Sequence, residues 1–276
     1  MLRPYLQKLK RLRRRYFIPL FSIIKRTLNV IKEYALPDYK RPPSIFQMYV
    51  EEEIEKCFNN FKKYFKTSLF LDTWNLREHA IKKAITNDKS LDKTYIEFGV
   101  FSGSSINFLS RYLNNKEIYV FDWFEGLKED WLGTSVTKGT FDLKQKIPKL
   151  RNNVVPIKGW IDQTLPIFLE EKKPKINFMH IDVDTYETSK IILELTKKFL
   201  NKGAIIVFDE LYNFPGWEVG EYKALKEVFN ENEYKFLSFA KNGQQAAIQI
   251  NLINWCFLGQ ASQLYYNQHQ HNESHL

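Results

Sequence analysis

The feature that most constrains this chain is a rhythm of short apolar strands, most closed by an acid or a glycine and separated by helical stretches. Tyr95-Ile96-Glu97-Phe98-Gly99 reads as a strand, and residues 104–113 (SSINFLSRYL) read as a helix with Ile106, Leu109 and Leu113 on one side. Ile118 to Phe121 then ends in Asp122, Val154 to Lys158 follows, Ile176 to Ile181 ends in Asp182, and Ala204 to Phe208 ends in Asp209. These runs lack strict alternation, as expected of parallel strands covered on both faces. The stretch Tyr186 to Leu200 spaces Ile191, Ile192, Leu195 and Phe199 to face a sheet. Strand and helix alternating in this way predict a doubly wound α/β fold of Rossmann-like type.

The end of the pattern differs. Glu221 to Phe229 is helical, and then Lys235 to Ala240 and Gln245 to Asn251 are two strand runs joined through Asn242-Gly243, a strong hairpin signal. The expectation is a mostly parallel seven-stranded sheet closed by an antiparallel hairpin. Upstream, Ile54, Phe58, Phe61 and Phe65 fall at steps of three and four, which predicts an amphipathic helix over 45–66, and residues 76–85 predict another. Prolines at 37, 42 and 43 mark a linker. The expected divisions are a leader and linker (1–43), a helical extension (44–92), the α/β domain (93–258) and a polar Gln/His-rich tail (259–276).

Net charge is +9, which would suggest nucleic acid if it were spread over the body. Ten of the 41 basic residues lie within residues 1–32, before the first acid at Glu33, so the remainder holds 31 bases against 32 acids. The body is close to neutral, and no nucleic-acid partner is expected. The leader's apolar run, Tyr16 to Ile24, is far shorter than the roughly 20 residues of a membrane span. Lys25-Arg26 follows it in place of a small-residue cleavage site. The open readings are a helix on an anionic membrane surface, a basic arm for a partner, a transit peptide, or a solvated helix packed on the body. Cys57 and Cys256 form neither a disulfide framework nor metal-ligand spacing, which fits a cytoplasmic enzyme body, peripheral to the inner membrane face if the leader binds lipid. Self-association is left open, and His269, His271 and His275 offer at most a stray metal contact.

In an open α/β sheet the ligand lies beyond the carboxyl ends of the strands. The first handover reads EFGVFSGSS. Gly99 and Gly103 let the backbone turn tightly, Ser102, Ser104 and Ser105 offer donors or a cap, and Glu97 could face the ammonium of a methionyl group. The GxGxxG turn that makes room for a pyrophosphate is missing. Asp122 closes the next strand 23 residues after Gly99, where an acid can accept both ribose hydroxyls, or serve only as a turn aspartate. Together these point to an adenosine ligand without a diphosphate.

The fourth strand ends His180-Ile181-Asp182-Val183-Asp184 and the fifth Asp209-Glu210. Carboxylates gathered at one sheet edge repel unless a cation or proton lies between them, and hard oxygen ligands favour Mg²⁺ or Ca²⁺ over zinc. Such an ion could hold vicinal sugar hydroxyls and lower the pKa of one, with Asp182 as general base. Asp184 and Glu210 fit helix-start acids as well, and His180 fits a satisfied interior imidazole as well as a catalytic one.

At this point the chain resembles a known group. EFGVFSGSS, FDWFEGL (121–127), GWIDQTLP (159–166), HIDVDTYETS (180–189) and FDELYNFPGWEVGEYKA (208–224) are similar, in order, to motifs of the macrocin and mycinamicin sugar O-methyltransferases, class I S-adenosylmethionine-dependent enzymes. The likeness spans roughly residues 70–252. It implies cofactor contacts by Glu97, Gly99, Ser102, Gly103, Ser104, Asp122, Phe124, Trp160 and Ile161. It also implies Mg²⁺ held by Asp182, Asp209 and Glu210, catalysis by Asp182 with His180 beside it, and a sugar-bearing small molecule or glycan as acceptor. Many relatives carry two aspartates where this chain has Asp209-Glu210. Residues 211–222, with Trp217 and Glu221, are where an acceptor pocket is expected. The rivals are a metal-dependent nucleotide-sugar glycosyltransferase using Asp182 and Asp184, a methyltransferase for a non-sugar acceptor, an NAD-linked oxidoreductase, and a membrane-associated scaffold. The first leaves EFGVFSGSS and Asp122 unexplained, and the last needs no acids at strand ends.

Overall fold

The computed structural model describes residues 42–87, 92–114 and 116–251. The leader (1–32), Cys256 and the tail from Gly259 lie outside the described residues. The chain divides into two compact units, Met1–Met48 and Tyr49–Leu276. Of the first, the described part opens a helix through a capping box: the Gln47 amide donates to Ser44 Oγ (3.1 Å) and the Ser44 amide to Gln47 Oε1 (2.8 Å). Among the described residues no helix is long and apolar enough to cross a membrane.

That helix, α1 (Ile45–Phe65), is followed by β1 (Leu69–Leu71), α2 (Thr73–Asn87), β2 (Thr94–Phe98), α3 (Ser104–Leu109) and β3 (Ile118–Asp122). Then come β4 (Val154–Lys158), α4 (Ile161–Lys172), β5 (Ile176–Ile181), α5 (Tyr186–Thr196), β6 (Leu200–Phe208), α6 (Glu221–Val228), β7 (Tyr234–Ala240) and β8 (Ala246–Ile250). The strands form one sheet in the order β1-β7-β8-β6-β5-β2-β3-β4. Only β8 runs against its neighbours. The α/β, mostly parallel architecture with a closing hairpin is therefore as expected. An eighth strand, β1, adds to the β7 edge; its three residues are too few to show periodicity.

Strand alternation sorts the core into two layers. Ile96, Phe98, Phe121, Met179, Ile181, Ile206 and Phe208 face the side covered by α1, α4, α5 and α6. Tyr95, Ile118, Val120, Phe178, Ile205 and Val207 face α2 and α3, where Leu76, Ala80, Ile81 and Ala84 supply the apolar stripe. The stretch 44–92, expected as an extension, thus contributes a helix to each sheet face and the edge strand β1.

Two local expectations are corrected. The buried stripe of α1 is Glu53, Cys57 and Phe61, while Ile54 and Phe58 are exposed, so the helix is turned about one position from the sequence reading. Phe61 sets that rotation: its ring meets those of Tyr212, Trp217, Tyr222, Phe236 and Phe239 at centroid distances of 5.0–5.8 Å. Second, the hairpin connection through Asn242-Gly243 takes in Gln245 as well, giving the loop 241–245. Tertiary bonds claim its residues: the Lys241 amide donates to the Leu71 carbonyl (2.8 Å) and Thr73 Oγ1 to Gln245 Oε1 (3.0 Å).

Register brings the carboxyl ends together. Glu97 pairs with His180 and His180 with Val207, while Phe98, Ile181 and Phe208 lie abreast. The ladder continues one residue further, with the Asp182 amide donating to the Phe98 carbonyl (2.9 Å) and the Asp209 amide to the Ile181 carbonyl (3.0 Å). Gly99 adopts φ +83°, and a Cβ there would lie 1.7 Å from the Asp182 carbonyl oxygen. Gly99→Ala is expected to cost about 1–3 kcal/mol from the left-handed backbone alone, lowering the melting temperature by about 2–12 °C. Calorimetric melting checks this; an unchanged melting point would contradict it.

Candidate active site

A cavity of about 280 Å³ opens at this edge, between the turn after β2, the ends of β3 and β5, and the start of α4. One end is aromatic. Trp123 and Trp160 stack with centroids 5.9 Å apart and planes 30° from parallel, and Lys128 Nζ lies 4.3 Å from the Trp160 ring centroid. Ile161, at the first turn of α4, also lines it. The other end is acidic, formed by Asp182, Asp184 and Glu210. Gly99, Asp122, Trp160, Ile161, Asp182 and Glu210 therefore reach the cavity as the sequence led us to expect.

Asp122 does more than face a ligand. Its Oδ2 accepts the amides of Val100 (2.7 Å) and Phe101 (3.3 Å), and its Oδ1 the amide of Phe124 (2.6 Å). It is the turn aspartate as well, with a lone pair left over on a carboxylate that has about four.

Five expected cofactor residues do not line the cavity. Ser102 and Ser104 bond each other (2.9 Å), and Gly103 (φ +79°) is the cap of α3 without a side-chain bond. Phe124 is buried in the α2–α3 layer. Glu97, fully buried, is also off the cavity: Ser105 Oγ donates to its Oε1 (2.7 Å), and its Oε2 lies 3.1 Å from His180 Nδ1.

His180 and Asp209 are likewise committed elsewhere. His180 Nε2 lies 3.1 Å from Asp209 Oδ1, the same oxygen that takes the Arg77 guanidinium, and Gln245 Nε2 donates to Asp209 Oδ2 (3.1 Å). Burial pulls His180 toward neutrality, but its bonds to Asp209 and Glu97 outweigh this and raise it to about 10. Asp209 sits well below the usual carboxylate range, because His180 and Arg77 outweigh its own burial. The result is a buried network with two acids and two cations. His180 is thus a positioning residue, with neither ring nitrogen free for an acceptor; strand alternation turns it toward the face shared with Phe178.

The cavity acids behave oppositely. Burial, with repulsion from Asp209, raises Asp184 to about 7, and burial with neighbouring carboxylates drives Asp182 and Glu210, and also Glu221 off the cavity, well above their ordinary range. Glu210 Oε2 and Glu221 Oε1 are buried without hydrogen-bond partners. Glu221 Oε2 accepts the Glu210 amide (2.9 Å). Orphaned, hard oxygen donors in a repelling group suit a divalent cation of the Mg²⁺ type.

Sequence comparison fits this geometry. Residues 96–211 match the methyltransferase domain. The matched stretch runs from β2 through β6 and holds every cavity residue named above. An uncharacterised protein, R132 of Acanthamoeba polyphaga mimivirus, is 27% identical over 157 residues, or 55% of this chain, and the match spans 66% of that relative's length. Among solved structures, CalS11, a calicheamicin methyltransferase, shares the fold at a TM-score of 0.51 and 20% identity, over 82% of this chain and 92% of that one. The O-methyltransferase NovP aligns with a TM-score of 0.44 and 17% identity, over 64% and 78%.

Sequence reasoning missed Trp123, Lys128, Trp131 and Phe141 at the cavity and Arg77 and Gln245 behind it. Trp123 sits inside the quoted FDWFEGL motif and was within reach. Lys128, Trp131 and Phe141 had no signal, since 123–153 carries no helix or strand period and is organised by contacts such as the Glu125–Asp142 bridge, and nothing in the periods marked Arg77 or Gln245 as partners of Asp209.

Proposed function

We propose that this protein is an S-adenosylmethionine-dependent O-methyltransferase that methylates a hydroxyl of a sugar, free, nucleotide-linked or within a glycan, with the help of Mg²⁺. The observation that carries this reading is the polarity of one cavity: stacked tryptophans and a turn aspartate at one end, three carboxylates at the other. The motif likeness to macrocin and mycinamicin sugar methyltransferases supports a sugar acceptor. CalS11, similar in fold, is described as a TDP-rhamnose 3'-O-methyltransferase.

In this reading Trp123, Trp160 and Ile161 hold the adenine, and Asp122 orients the ribose. Asp182 takes the acceptor hydroxyl proton as the oxygen attacks the methyl carbon. The new O–C bond forms, the C–S bond breaks, and its electron pair stays on sulfur to give the neutral thioether of S-adenosylhomocysteine. Bound Mg²⁺ would acidify that hydroxyl and offset the negative charge of the carboxylates. The remaining work is alignment, which positioning alone can make large.

Trp160→Ala is expected to weaken S-adenosylhomocysteine binding about tenfold, since stacking on a base is worth about 1–3 kcal/mol. Titration calorimetry reads this, and unchanged affinity would move the adenine elsewhere. The acceptor is tested by mass spectrometry over a panel of sugars, nucleotide sugars and phenols. Gain of one methyl on a sugar and none on phenols is expected; methylation confined to phenols would contradict the sugar assignment.

A further inference from the structure

Two groups of side chains at the strand ends bring ligand atoms within 4.8 Å of one another, and Asp182 belongs to both. One is His180, Asp182 and Asp209; the other is Asp182, Asp184 and Glu210. The motif likeness implies Asp209 as a ligand. The bonding at Asp209 argues otherwise.

Both oxygens of Asp209 are engaged by side chains, two of them cationic. Oδ1 is held by Arg77 and His180, and Oδ2 by Gln245. His180 has no idle nitrogen, being 3.1 Å from Glu97 through Nδ1 and 3.1 Å from Asp209 through Nε2. Neither residue lines the cavity. A cation binding there would have to approach or displace the positive guanidinium of Arg77, which also lies over the Trp74 ring at 4.9 Å. Breaking a buried, hydrogen-bonded ion pair is expensive.

The second group has the opposite character. Asp182, Asp184 and Glu210 all line the cavity. Glu210 is 7% exposed, and its Oε2 has no hydrogen-bond partner. Asp184 is held at φ +63°, with the Thr185 amide donating to the Val183 carbonyl (2.7 Å) just beyond it. That conformation folds the chain back, so that Asp184 and Asp182 reach the same space.

Resting on the cation-dependent reading above, we propose that the divalent ion is held by Asp182, Asp184 and Glu210, and that Asp209 is a positioning residue fixed by Arg77, His180 and Gln245. The ligand set has moved by one carboxylate within the same strand ends. In this arrangement Glu210, the longer side chain after β6, reaches the ion while Asp209 turns to the α2 side.

The test replaces each candidate with a soft donor. Full-length Asp184→Cys and Asp209→Cys variants are titrated with Cd²⁺ and followed by thiolate-to-cadmium charge-transfer absorbance, because thiolates select soft ions. The wild-type chain, with its own two cysteines, sets the background. In parallel, Mn²⁺ binding is measured by electron paramagnetic resonance on wild type, Asp184→Asn and Asp209→Asn. We expect a new band in Asp184→Cys alone, and Mn²⁺ affinity at least about tenfold weaker in Asp184→Asn than in Asp209→Asn. A band in Asp209→Cys, or weaker Mn²⁺ binding in Asp209→Asn than in Asp184→Asn, overturns the assignment while leaving the cation-dependent reading intact. Wild type that binds no Mn²⁺ overturns both.

Discussion

Asp182→Asn is expected to lower turnover by about 10²–10⁴-fold while leaving S-adenosylhomocysteine affinity within about threefold, because a positioned general base contributes on that order. Asp182 is the acid shared by both strand-end groups and stands on the cavity wall. Its nearest tasks, taking a proton and holding a cation, need a charged oxygen that the amide lacks. The fold should not suffer. Asp182 is desolvated and repelled by Asp209, Asp184 and Glu97, so a neutral isostere relieves strain in the metal-free protein. A melting point equal to or above wild type, with activity lost, is the expected pair of results. Full activity in this variant would remove Asp182 from the mechanism.

The largest expected effect on stability lies on the other side of the sheet. Arg77→Met should cost about 3–5 kcal/mol, as breaking a buried ion pair does by leaving a charge uncompensated. At about 2–4 °C per kcal/mol, the melting point falls by about 6–20 °C. Arg77 is 7% exposed and bonds Asp209, in a network where Arg77 and His180 balance Asp209 and Glu97. Adding Asp209→Asn to Arg77→Met restores the balance between His180 and Glu97, so the double variant should be more stable than Arg77→Met alone. Thermal melts of the two single variants and the double settle the sign. A loss under about 1 kcal/mol for Arg77→Met, or no recovery in the double, would show that the network is not held by charge.

Much of the fold was legible in the chain because it rests on periods and punctuation. The apolar runs ending at Asp122, Ile181 and Phe208 became β3, β5 and β6 with their ends in register. Residues 76–85 fell within α2. What could not be read came from contacts distant in sequence. The rotation of α1 is fixed by aromatic rings that follow Phe61 by 151 residues or more, beginning at Tyr212. The loop 241–245 looks like a tight turn until Leu71 and Thr73 bond to it.

The site divides along the same line. Gly99, Asp122 and Asp182 were legible because strand ends and a turn place them, whatever their neighbours, whereas Trp160 was carried by the motif likeness alone. Glu97, His180 and Asp209 were equally visible as acids and an imidazole, but their direction was not. Strand parity turns Glu97 and His180 to the α2–α3 face, and Arg77, from a helix 132 residues before Asp209, draws that carboxylate away from the cavity. A motif names the residue type; only packing says which side of the sheet it serves.

The central claim, that the cavity takes S-adenosylmethionine, is tested most directly by titration calorimetry of the purified chain with S-adenosylhomocysteine, NAD and a nucleotide sugar. The account predicts saturable one-to-one binding of S-adenosylhomocysteine and none of NAD. Absence of S-adenosylhomocysteine binding, together with tight binding of the nucleotide sugar, would contradict it and favour a metal-dependent glycosyl transfer at Asp182 and Asp184.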